Sequence, residues 1–211
     1  GHQGCGGHLP VPAAGVAGRA VDRLVLSTPE AFLAWVPHMV GFDCADSVVL
    51  VGLGPNPADR NDRSGMVRLV QRFDTPPSGM AAADLASIAR SVAEPMVRSG
   101  STEVIVAVFG PTPEPSRELP SAALVDELLA RVDDAGLGVR DALFTDGTSR
   151  WSYGCDNPSC CPPEGRVIPE TTRTLVAAEF AGVGAAMAPS RAALADEIAP
   201  DPARIAAVAA I

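Results

Sequence analysis

Residues 104–109 read VIVAVF, an unbroken apolar run of strand length dominated by β-branched residues. Such a run reads as a strand buried on both faces. Before it, Leu85, Ile88, Val92 and Met96 recur at helical spacing within 84–97. After it, Leu124, Val125, Leu128, Leu129 and Val132 form one stripe. Ser121 is placed to cap that helix and Gly136 to stop it. Residues 139–145 then return to strand character. Upstream, residues 66–73 alternate, with Val67 and Leu69 on one face and Arg68 and Arg72 across. Two strand–helix–strand units therefore follow one another, and such crossovers join parallel strands right-handedly. The expectation is an α/β fold: a mixed, mainly parallel sheet flanked by helices.

Working outward, residues 47–53 (SVVLVGL) form a second buried strand, paired most simply antiparallel to 66–73 across the Pro/Asn/Gly-rich loop 54–65. Before it, Thr28 caps a helix with Pro29 at its first position, where a missing N–H costs nothing. Phe32, Trp35, Val36 and Met39 share one face, and Pro37 should kink or end it. Residues 21–26 read as a short strand and 1–20, rich in Gly, as a disordered leader. Asp146-Gly147 signals a turn from which 150–153 can return as a hairpin. Beyond a loop at 154–169 the chain turns helical, capped by Thr171 or Thr172 and again by Ser190. A last helix from Pro202 stops at Ile211 without a cap, so this helical segment looks truncated. The organisation expected is a leader 1–20, an α/β domain 21–170, and a helical segment 171–211 packed on it.

Composition excludes much chemistry. All 16 cations are arginine. Without lysine there is no Walker-type phosphate loop, Schiff base or Ser-x-x-Lys acylase. Of three histidines, His2 and His8 lie in the leader and only His38 in a folded stretch, so multi-histidine metal centres are ruled out. No G-x-S-x-G elbow is present. The net charge of −9 and the scatter of the arginines argue against nucleic acid and anionic membranes as partners. No apolar run approaches the roughly 18 residues of a membrane span. The first residues lack the basic and apolar regions of a signal peptide. The expected compartment is the reducing cytoplasm, where five cysteines read as thiols or ligands before disulfides.

Three of those cysteines, the single Tyr and one of two Trp fall between Trp151 and Cys161, in WSYGCDNPSCC followed by PPEG. This stretch resembles the actinobacterial domain of unknown function 4192 family. The resemblance extends to GFDCADSVVLVGL, residues 41–53, and to Pro189-Ser190-Arg191-Ala192-Ala193-Leu194, and spans about 24–200. It implies an actinobacterial, cytoplasmic context and a chain continuing with more helices, and it brings no mechanism. Cys44 and His38 lie outside the shared pattern.

The loop residues Trp151, Tyr153, Cys155, Cys160, Cys161 and Glu164 admit several readings. The first is a rigid Cys/Pro turn closing one end of the sheet, its cysteines acting as small hydrophobes and Pro162-Pro163 stiffening its exit. The second is a zinc site on Cys155, Cys160 and Asp156, or completed by Glu164 or another chain. Its spacing is C-x₄-C-C, and a vicinal pair does not readily turn both sulfurs to one ion. The third is a thiol enzyme, for which the flanking Arg150 and Arg166, or His38 as the one available imidazole, are the candidates to lower a thiol pKa. A Cys155–Cys160 disulfide would be a redox switch in a cytosol.

Elsewhere, Gly52-Leu53-Gly54 reads as a plain loop, because no helix start follows it. Ligand crevices in open α/β sheets sit at the C-terminal ends of parallel strands, which places a candidate pocket near Asp43, Asp46, Gly110 and Asp146. The loop should emerge near the opposite end, leaving Cys44 and His38 well over ~10 Å from its cysteines, beyond a shared metal or disulfide. The functional expectation is a cytosolic, non-enzymatic or regulatory module binding a protein or small molecule. The alternative is a thiol- or metal-dependent enzyme built on the loop.

Overall fold

The computed structural model describes residues 26–56, 65–115 and 118–200. The expected leader, most of the strand at 21–26, much of the loop 54–65 and the helix from Pro202 lie outside them. The elements in chain order are α1 (Pro29–Val40), β1 (Ser47–Gly54), β2 (Met66–Asp74), α2 (Ala82–Arg98), β3 (Glu103–Phe109), α3 (Ala122–Asp134), β4 (Gly138–Thr145), β5 (Ser149–Ser152), β6 (Arg166–Val167), α4 (Glu170–Gly182) and α5 (Arg191–Ile198). Six strands make one sheet in the order β2-β1-β3-β4-β5-β6.

The α/β class holds, but the sheet is not mainly parallel. Among the described strands only β3 and β4 pair in parallel, and every other neighbouring pair in the sheet is antiparallel. The crossover through α2 does lead from β2 to a strand of the same direction. It steps over β1, which fills the place between them. Burial explains why. Every residue of β1 is buried, so this strand needs partners on both edges and helices on both faces. β2, with Arg68, Gln71 and Arg72 half-buried, tolerates the edge.

The period-two alternation of β1 feeds two cores. Val49, Val51 and Leu53 join Phe32 and Trp35 of α1 and Phe180 of α4. Val48 and Leu50 join Val92 and Met96 of α2 and Leu128 of α3. Helices thus cover both faces, α1 with α4 and α2 with α3. Each large side chain buried this way contributes roughly 1.5–3 kcal/mol. Gly52 lets α2 approach: a Cβ there would stand 2.2 Å from Ser101 Oγ and 2.7 Å from Met96 Sδ.

The ends of the helices follow local rules with three corrections. Thr28 Oγ1 accepts from the Ala31 N–H and Ser190 Oγ from that of Ala193. Pro37 does not end α1, which runs on to Val40 and closes on Gly41 at φ 89°. Ser121, expected to cap α3, sits in the left-handed region at φ 63° and makes no side-chain cap. α4 begins after Pro169, so Thr171 and Thr172 lie inside its first turn and not at its cap.

Candidate functional site

The hairpin signal at Asp146-Gly147 is answered by the structure. Asp146 accepts from the backbone N–H groups of Thr148 and Ser149 and from the hydroxyls of Thr148 and Thr112. Burial alone would raise its pKa, but these donors outweigh burial and hold the carboxyl below its usual range. The turn delivers β5 antiparallel to β4, with Arg150 opposite Thr145 and Ser152 opposite Leu143. β5 is short, and the Tyr153 N–H donates to Ala142 O. The cysteine loop therefore leaves the sheet part-way along β4. It returns as β6, with Arg166 paired to Arg150.

Three anchors fix the loop. Trp151 is buried, lies edge-on to Phe144 with ring centroids 5.7 Å apart, and donates its indole N–H to Pro163 O at 3.0 Å. Gly165, at φ +83°, passes so close to that ring that a Cβ would meet it at 2.5 Å. The Tyr153 hydroxyl donates to Pro120 O at 2.5 Å, and burial pushes its phenol above the ordinary range. Tyr153 and Trp151 are thus both engaged in anchoring the loop.

Within the loop, Pro158 presets φ for a turn that Asn157 opens. The Cys160 and Cys161 N–H groups both donate to Asn157 O, at 3.1 and 2.8 Å, and the Ser159 N–H to Asn157 Oδ1 at 3.0 Å. This is a helical turn, so successive side chains diverge by roughly 100° and not by the 180° of a strand. The vicinal pair can therefore share a point. The Sγ atoms of Cys155, Cys160 and Cys161 all lie within 4.8 Å of one another, and Cys155 and Cys160 are in contact at 3.1 Å. That contact is longer than the roughly 2.05 Å of a disulfide bond. Desolvation, reinforced by the Cys155 thiol, pushes Cys161 up to about 11, opposite in direction to an activated nucleophile.

Asp156 and Glu164 are exposed and stand outside the thiol group. So do His38 and Cys44. The His38 ring stacks on Phe180 at 4.7 Å, where burial lowers its pKa. The Cys44 thiol is fully buried, points to Phe42 O at 3.7 Å, and is pushed up to about 12 by desolvation. Arg150 is engaged by Glu30 at 2.6 Å. Beside this pair, Asp141 is raised above the usual carboxylate range by burial, against the Ala142 N–H and the Arg150 charge. Glu30 carried a signal unread in the sequence: a carboxylate directly after the Thr28-Pro29 cap.

At the end of the sheet where β2 and β3 finish and β1 begins, Val40, Phe42, Arg72, Phe73, Asp74 and Arg191 line a groove of about 370 Å³. Arg72 lies over the Phe42 ring at 5.4 Å and pairs with Asp74 at 2.6 Å. Asp43 and Asp46 are exposed in the segment leading into β1, and Asp46 adopts φ 48°. The Gly110 N–H donates to Thr145 O, beside the Asp146 turn. Among the described residues no helix is long and apolar enough to cross a membrane.

No curated protein and no solved structure matches the chain. A family model does, over residues 29–210, a span that takes in α1, the cysteine loop and α5. The chain belongs to the family described as Domain of unknown function (DUF4192).

Proposed function

We propose that this chain is a cytoplasmic, non-enzymatic or regulatory binding module that engages a protein or small molecule, and that its Cys/Pro loop is a structural element. In this reading the α/β domain ends near residue 170 and the helical segment that follows packs on it. The observation that carries it is the anchoring of the loop. Trp151, Tyr153 and Gly165 are spent on holding its shape, while His38 is stacked on Phe180 and Arg150 is paired with Glu30. No general base stands in the thiol group. The net charge of −9 disfavours nucleic acid.

The second reading, a thiol- or metal-dependent enzyme, draws on the convergence of the three sulfurs. Thiol titration combined with denaturant unfolding separates the two. A structural loop requires that Cys155→Ser, Cys160→Ser and Cys161→Ser each lower the unfolding midpoint, and that no thiol reacts unusually fast in the native state. Cys44 should be labelled only after unfolding. One hyper-reactive loop thiol whose replacement leaves stability unchanged would overturn the structural reading in favour of the enzyme.

A further inference from the structure

We propose that Cys155, Cys160 and Cys161 together bind one zinc ion as three thiolates, leaving a fourth coordination position for an exchangeable ligand. Donor chemistry selects the metal. Three sulfurs exclude the oxygen-seeking calcium and magnesium; sulfurs within 4.8 Å of one another meet at a single ion, and four-coordination with one exchangeable position favours zinc over copper(I). The geometry fits as well. Sulfurs bound at about 2.3 Å around a tetrahedral ion stand about 3.8 Å apart. The loop holds Cys155 and Cys160 at 3.1 Å and all three sulfurs within 4.8 Å, so the required edge lies inside the spread already present. Shifts of less than an ångström would seat the ion.

The backbone supports this arrangement before any metal arrives. The Asn157 turn ties Cys160 and Cys161 to one carbonyl, and the Trp151 indole fixes the returning limb through Pro163. Little chain entropy then remains to be lost on binding, which is the condition for an affinity high enough to matter. The thiol group contains no carboxylate or imidazole, although Asp156 lies next to Cys155 in the chain. The three cysteines are only partly buried, so a fourth ligand can reach the ion from solvent.

The inference rests on the anchored loop of the first reading and goes beyond it, because an exchangeable position is a feature of reactive and not of closed structural zinc sites. Its test uses the full chain, reduced with a phosphine and titrated with cobalt(II) under anaerobic conditions. The expected result is one cobalt per chain, with intense sulfur-to-metal charge-transfer absorption that one equivalent of zinc abolishes. A Cys5→Ser/Cys44→Ala protein, which keeps only the loop cysteines, should bind equally. Each single loop Cys→Ser variant should weaken binding more than about 100-fold, beyond the usual loss for an outer-shell partner. Added imidazole should shift the visible bands, because one position exchanges. Absence of charge-transfer absorption, or its loss in the Cys5→Ser/Cys44→Ala protein, would overturn the three-thiolate site. Bands indifferent to imidazole would overturn the open position. If the loop variants lower stability yet no cobalt binds, the metal centre fails alone and the structural loop stands.

Discussion

Replacing Gly165 by alanine tests the anchoring of the cysteine loop most directly. Gly165 sits at φ +83°, and an alanine Cβ would stand 2.5 Å from both Cε2 and Cζ2 of Trp151. The ring has nowhere to retreat, because Trp151 is buried against Phe144 and bonded to Pro163 O. Two costs follow. An L-residue in the left-handed region costs roughly 1–2 kcal/mol, and overpacking a filled site roughly 1–3 kcal/mol. Stiffening the unfolded chain returns about 0.4–1 kcal/mol. Gly147 is the matched control, with φ +87° and nothing within 4 Å of a Cβ. Gly147→Ala carries the backbone cost and the same return, so the difference between the two variants isolates the ring contact. Gly165→Ala should be less stable than Gly147→Ala by about 1–3 kcal/mol. In a domain of this size that is roughly 2–12 °C in Tm. Far-UV circular dichroism through a denaturant series reads the difference without relying on either tryptophan. Equal stability of the two variants would refute the claim that Trp151 and Gly165 pin the loop.

Other outcomes follow from the charged groups. Glu30 and Arg150 form an ion pair with side chains 14% and 9% exposed. Glu30→Leu alone should cost about 3–5 kcal/mol by stranding a buried cation, while Glu30→Leu/Arg150→Met should recover most of it; a double variant as unstable as the single would contradict this. Asp146→Asn should lose about 1 kcal/mol at pH 7, the difference between charged and neutral acceptors, trimmed by solvent screening. Its folded-state pKa is depressed, so its stabilisation is present above the unfolded value near 4 and is lost as pH falls through the folded one. The deficit of Asp146→Asn should therefore shrink below about pH 4; a deficit that persists at pH 2.5 would assign it to something other than charge.

Much of the architecture was legible because it is written in short-range patterns. The runs at 47–53, 104–109 and 139–145 became β1, β3 and β4 with shifts of a residue or so at their ends. Thr28 and Ser190 cap the helices they were expected to cap. Ser121 did not, because its backbone adopts φ 63°. The position of β1 between β2 and β3 was the main miss. A strand–helix–strand pattern reports direction but not adjacency, and here the crossover spans one intervening strand. The clue was present in composition: the all-apolar SVVLVGL belongs at the centre of a sheet, and the Arg-bearing 66–73 at its edge.

The candidate site divides in the same way. By itself the sequence excluded lysine chemistry and multi-histidine centres, since lysine is absent and His38 is the lone histidine outside the Gly-rich start, and it singled out the cysteine loop. It also indicated that the paired prolines Pro162-Pro163 would stiffen the loop's exit. Tertiary structure alone decided that Cys161 joins Cys155 and Cys160 and that Arg150 is claimed by Glu30, whereas the separation of Cys44 and His38 from the loop cysteines was already expected from the strand directions. The physical reason is range. Turn preferences and periodicity act over a few residues, whereas the meeting of three sulfurs depends on a helical turn at Asn157 and on an indole that bonds Pro163 from the neighbouring strand. Those contacts exist only once β4, β5 and the loop have packed together.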